Sequence, residues 1–163
     1  MAIFHKEKHV GESPFESRFR WRSGAASGFL ASGVTGLAIT LLGMETLRVA
    51  IAGLYGFEGN IVVGWAAHLI HGALFGVVFA AVLADPGLYA VSDWLWKTVL
   101  AGAVYGIVLA VFGAGIIMPI WLGAVGAPVP ETIPNVTTAL VGWHLLYGVV
   151  LGTAFFFLEA SST

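Results

Sequence analysis

The sequence predicts an all-α, polytopic membrane protein with four transmembrane helices, arranged as two tandem two-helix repeats with both termini in the cytoplasm. Three observations predict it: a composition that is 58% hydrophobic and only 10% charged, four apolar stretches long enough to cross a bilayer, and a motif that recurs in the second and fourth of them. An ordinary soluble domain carries about 25% charged residues, so lipid is the solvent expected for most of this chain. The same composition excludes several classes. A net charge of -2 without a basic stripe leaves nucleic acid out as a partner. The absence of cysteine rules out disulfides, thiolate zinc sites and cysteine-ligated iron–sulfur clusters.

Residues 1–22 form the first element, a cytoplasmic segment lying at the membrane interface. It carries Lys6, Lys8, Arg18, Arg20 and Arg22 but no apolar run, so a cleaved signal peptide is not expected. Ser13-Pro14-Phe15-Glu16 combines an N-cap, a proline at the first helical position and a glutamate three residues after the cap, which predicts a short helix. Phe15, Phe19 and Trp21 alternate with arginines, a composition suited to the headgroup layer.

Residues 23–160 form the four-helix transmembrane domain of a multi-pass cell-membrane protein. Lipid offers backbone groups no partners, so each crossing needs about 20 mostly apolar helical residues. The stretches Gly24 to Gly53, Asn60 to Ala84, Trp94 to Leu122 and Val136 to Leu158 qualify. Leu54 to Gly59 predicts a short turn, Asp85-Pro86-Gly87 a second turn, and Gly123 to Pro134, with Pro128, Pro130 and Pro134, an ordered external loop. Five of the seven basic residues precede the first span and Lys97 lies beside the second turn, which sets the orientation by the positive-inside rule. Arg48, at the far end of the first span, snorkels toward the opposite interface and pairs with Glu45. Trp65, Trp94, Trp96, Trp121 and Trp143 lie near span ends and read as interfacial anchors.

The repeat is read from His68-Leu69-Ile70-His71-Gly72-Ala73-Leu74-Phe75-Gly76 against His144-Leu145-Leu146-Tyr147-Gly148-Val149-Val150-Leu151-Gly152. A weaker match relates Val34, Gly36 and Gly43 to Val104, Gly106 and Gly113. A unit of two spans keeps its orientation when repeated, so the pseudo-twofold axis runs along the membrane normal. Small residues recur every fourth position: Gly24, Gly28, Ser32 and Gly36 on the first helix, Gly64, Gly72 and Gly76 around His68 on the second, Gly102 and Gly106 on the third, Gly148 and Gly152 after His144 on the fourth. Four residues advance about 400°, so each set is one stripe. These stripes predict close helix packing, which in lipid rests on dispersion contacts between small residues.

Leu54-Tyr55-Gly56, the stretch Gly64-Trp65 to Phe79, Met118-Pro119-Ile120-Trp121-Leu122-Gly123-Ala124-Val125-Gly126 and His144 to Gly152 together give a resemblance. In these segments the chain resembles a group of small, functionally uncharacterised four-helix membrane proteins of archaea, above all halophilic ones. The resemblance implies the fold and supplies no catalytic residues. The histidine-kinase label carried by some such proteins does not transfer, because these spans leave no room for an ATP-binding domain.

Intramembrane histidine is the clearest functional signal. His68 and His144 at equivalent positions suggest two axial ligands of a b-type haem, with the neighbouring glycines making room for the macrocycle. The competing reading has neutral imidazoles bonding across helices to hydroxyls or carbonyls near Ser32, Thr35, Thr40 or Tyr105. His71, one turn from His68 and matched by Tyr147, is a candidate metal ligand or proton partner, although metal sites normally take three or more protein ligands. A relay through His68, His71 and His144, with Glu45 and Arg48 at one mouth, would make a conduit for protons or small solutes. Pro119, Gly113 and Gly115 predict a kink that frees carbonyls. No Walker A loop, dinucleotide fingerprint or H-E-x-x-H motif is present. The reading that covers these features is a structural or accessory bundle that associates with itself or with another membrane protein.

Overall fold

The computed structural model describes residues 19–160. The helix expected at Ser13-Pro14 and most of the 1–22 segment lie outside them. Four long helices make up the described chain: α1 (Trp21–Leu42), α2 (Ile61–Leu83), α3 (Leu95–Ala124) and α4 (Thr138–Ala160). Each is long and apolar enough to cross a membrane.

The first predicted span ends early. α1 stops at Leu42, Gly43 is in an extended conformation, and a separate π-helical turn follows at Thr46–Ile51. Hydropathy averages over such a bend, because the residues on both sides of it are apolar. The chain then turns through Gly56 and Gly59, both at positive φ, where a side chain would be strained. Asn60 starts α2 by accepting hydrogen bonds from the Val62 and Val63 amides through its side-chain oxygen. At the α2–α3 turn, Asp85 accepts the Gly87 amide at 2.8 Å, as its turn signal predicts.

Within α3, residues Leu109–Ile117 are π-helical. Pro119 lacks an N–H, so the Gly115 carbonyl, four residues earlier, has no α-helical donor. The loop supplies one: the Asn135 amide donates to Gly115 O at 2.8 Å. A comparable bond links the first loop to the first π-helical turn, where the Gly59 amide donates to Arg48 O at 2.8 Å. Both irregular segments thus have a carbonyl satisfied by the loop that leads into the next helix. The carbonyl that Pro119 frees is thus taken by backbone.

α1 packs against α2 and α3 against α4, and the α1–α4 contact joins the two pairs. Ala31, Phe79, Ala80, Leu83, Tyr147, Leu151 and Phe155 form the buried core where they meet. Phe79 stands edge to face on Phe155, with centroids 5.6 Å apart. At the end of the bundle that carries the start of α1, Arg20 and Glu159 form an ion pair at 3.3 Å, tying α1 to the close of α4.

Candidate functional site

The predicted packing glycines are at work within the chain. A Cβ at Gly28 would overlap the Gly72 carbonyl oxygen, and one at Gly76 would overlap Gly24 O. In the other pair, a Cβ at Gly102 would overlap Gly148 O, one at Gly148 would overlap Gly102 O, and one at Gly152 would overlap Thr98 O. Gly36 and Gly106, which the weaker register match set side by side, differ. Gly106 faces the His144 carbonyl, whereas Gly36 faces the rings of Trp65 and His68. The backbone contacts instead make Gly28 against Gly72 the counterpart of Gly102 against Gly148.

Trp65 is therefore more than an interfacial anchor. Its ring lies against Gly36, edge to face with His68 at 6.4 Å. Trp121 donates through Nε1 to Leu54 O at 2.9 Å, pinning α3 to the first turn. Trp94 and Trp96 are exposed, each with the Lys97 ammonium over its ring, as membrane-boundary residues are expected to be.

The three histidines occupy different settings. His68 lies at the α1–α2 contact with a hydrogen bond to the Ser32 backbone. Its Nε2 is buried with no hydrogen-bond partner. His71 Nε2 is bonded to the Tyr55 hydroxyl at 2.5 Å. His144 bonds through Nδ1 to Leu140 O at 2.9 Å, one turn back on its own helix. The hydroxyls proposed as cross-helix partners are used locally: Ser32 donates to Phe29 O, Thr35 to Ala31 O and Thr40 to Gly36 O.

A haem b held by His68 and His144 would need a flat slot beside the glycines. That space is filled. A Cβ at Gly72 would meet the Ser32 side chain, and at Gly76, Gly148 and Gly152 it would meet the backbone of the opposing helix. Close helix contact accounts for these glycines. Among the described residues no three His, Asp or Glu side chains lie together as a metal site, and the His71 nitrogen suggested as a ligand is engaged by Tyr55. Glu45 and Arg48 pair with each other at 3.2 Å on an exposed surface.

Two tyrosines also bond across helices. Tyr147 donates to Gly72 O at 2.7 Å in the buried interior, and Tyr105 donates to Phe75 O at 2.9 Å. A helical carbonyl has a second lone pair for such a bond, and Gly72, lacking a side chain, leaves its own accessible. The signal in the sequence is the place in the predicted repeat where Tyr147 stands opposite His71.

The chain matches no family model, no curated protein and no solved structure.

Proposed function

We propose that the protein is an integral membrane bundle of the cell membrane that serves as a structural or accessory subunit, associating with a second copy or with another membrane protein. One observation carries this reading. Gly24, Gly28, Gly72, Gly76, Gly102, Gly106, Gly148 and Gly152 are all used in helix contacts within the chain, yet Gly33 on α1 and Gly142 on α4 have no atom within 4 Å of the place a Cβ would occupy. Glycine in a helix interior costs about 1 kcal/mol against alanine. Internal packing gives no return for that cost at these two positions, whereas contact with a further helix would.

Since the chain has no cysteine, single Gly33→Cys and Gly142→Cys variants report directly on their neighbours. Oxidation in native membranes should give a dimer or a heavier product at one of the two positions. Gly33→Leu and Gly142→Leu should weaken the same association while leaving the bundle folded. No product at either position, with unchanged particle mass in both Leu variants, would sink the proposal.

A second reading, passage of a proton or small solute, is favoured by the buried, unpartnered Nε2 of His68. A buried acceptor without a donor costs about 1–3 kcal/mol, and a transient water or proton would satisfy it. Proteoliposomes made with the wild-type chain should then dissipate a pH gradient faster than those made with His68→Ala; equal rates in both, matching empty liposomes, would reject this reading.

A further inference from the structure

Three separate parts of the chain converge at the end of the bundle where α1 begins. They are Arg20 just before α1, Tyr89, Ser92 and Asp93 of the α2–α3 turn, and Phe156, Glu159 and Ala160 at the close of α4. Between them lies a cleft of about 270 Å³. Its lining holds one cation and two carboxylates, and the cation is already committed: Arg20 Nε is 3.3 Å from Glu159 Oε2. The other oxygen, Glu159 Oε1, is buried and has no hydrogen-bond partner. Ser92 donates its proton to Tyr89 O at 2.7 Å, so its oxygen can only accept from a ligand. Phe156 contributes an aromatic ring.

A cleft with one more carboxylate than cations, a hydroxyl oxygen and an aromatic ring is short of one thing, a cationic hydrogen-bond donor. We infer that it binds a primary ammonium group. Such a group donates up to three hydrogen bonds, and each bond to a carboxylate is stronger than a neutral one. An aromatic ring adds cation–π attraction. Two carriers present this chemistry, an ethanolamine phospholipid and a soluble amine. The lipid is favoured by position. The cleft opens at the end of four membrane-length helices, and an apolar groove lined by Trp94, Leu95, Trp96, Val99, Leu100 and Ala103 begins at the residue after Asp93, where an acyl chain can lie.

Native mass spectrometry of the full chain in mild detergent tests this. The chain is titrated with phosphatidylethanolamine and with phosphatidylcholine of identical acyl chains, whose quaternary ammonium cannot donate a hydrogen bond. The expected result is a retained one-to-one adduct with the ethanolamine lipid, several-fold stronger than with the choline lipid. That preference should fall in Glu159→Gln and in Asp93→Asn. Loss of the Arg20 pair can unfold the first variant; Asp93, which forms no ion pair among the described residues, then decides. Displacement of the adduct by free ethanolamine at millimolar concentration would support the ammonium site with a soluble carrier; undisturbed adducts would support the lipid. Equal binding of the two lipids by the wild-type chain, or a preference that survives Asp93→Asn, would overturn the inference.

Discussion

The α1–α2 and α3–α4 pairs meet through one kind of contact, glycine against backbone carbonyl, but they part from it at different points. In α3–α4 the close approach runs over three successive turns, from Thr98 against Gly152, through Gly102 against Gly148, to Gly106 against the His144 carbonyl. In α1–α2 it covers Gly24 and Gly28 against Gly72 and Gly76. It then gives way to the Ser32 side chain and, a turn later, to the rings of Trp65 and His68 against Gly36. The helices of the first pair have room for side chains where those of the second still touch by backbone. A polar imidazole can therefore enter the first contact, whereas His144 presents its carbonyl to Gly106 of α3 and bonds its ring back to Leu140.

The largest expected effect follows from the shared part of the contact. Gly72→Leu and Gly148→Leu should each force the helices apart, at or above the roughly 1–3 kcal/mol usual for overpacking, and should lower the thermal midpoint in detergent. Gly142→Leu, facing open space, should leave that midpoint near wild type. A Gly148→Leu protein that melts with the wild type would remove the packing role given to these stripes.

Alanine at the diverging positions sharpens the comparison. In Gly102→Ala the new methyl meets a main-chain carbonyl that can move only with its helix. In Gly36→Ala it meets ring atoms of Trp65 and His68, which can rotate. Gly102→Ala should therefore be the more destabilising in parallel melts, and the reverse order would mean that the Trp65 and His68 rings are held as rigidly as backbone.

The cross-link between pairs is smaller still. Tyr147→Phe removes the buried bond to Gly72 O and should cost about 0.5–1.5 kcal/mol, the net worth of a typical hydrogen bond. Tyr105→Phe, whose bond to Phe75 O is exposed, should cost less. Denaturant midpoints measured side by side would rank them.

Much of this is legible in the sequence alone. Hydrophobic length located four helices, the four-residue glycine spacing located the contact faces, and Asp85-Pro86-Gly87 marked its turn. These signals are local, and a membrane makes them strong because each crossing must satisfy its own backbone. What sequence reasoning missed depends on where two helices sit relative to each other. The bend at Gly43 leaves no trace in hydropathy. The haem reading turns on the same level: His68 and His144 match in sequence, but whether nearby glycines open a slot or close a contact is decided by the partner helix. Cross-helix bonding, expected of histidine, is shared with tyrosine, whose longer reach brings a hydroxyl to a carbonyl on a neighbouring helix.

The π-helical turns complete the comparison, and the smallest predicted effect concerns them. Both pairs have an irregular segment whose carbonyl is bonded by a loop amide, Gly59 to Arg48 and Asn135 to Gly115. Only the second has a proline to account for it. If Pro119 is what leaves Gly115 O available, Pro119→Ala restores an N–H that competes with the Asn135 amide for that oxygen. The helix gains a donor as the loop loses an acceptor, so global stability should change by only a few tenths of a kcal/mol, within the range of ordinary substitutions. The local consequence should be plain: the Asn135 amide should exchange its hydrogen faster in Pro119→Ala, while the Gly59 amide, bonded in the other pair, keeps its wild-type rate. Unchanged protection at Asn135 would show that the loop holds α3 in its π-helical form without help from the proline. The two pairs would then owe their irregular turns to one cause, the loop amide.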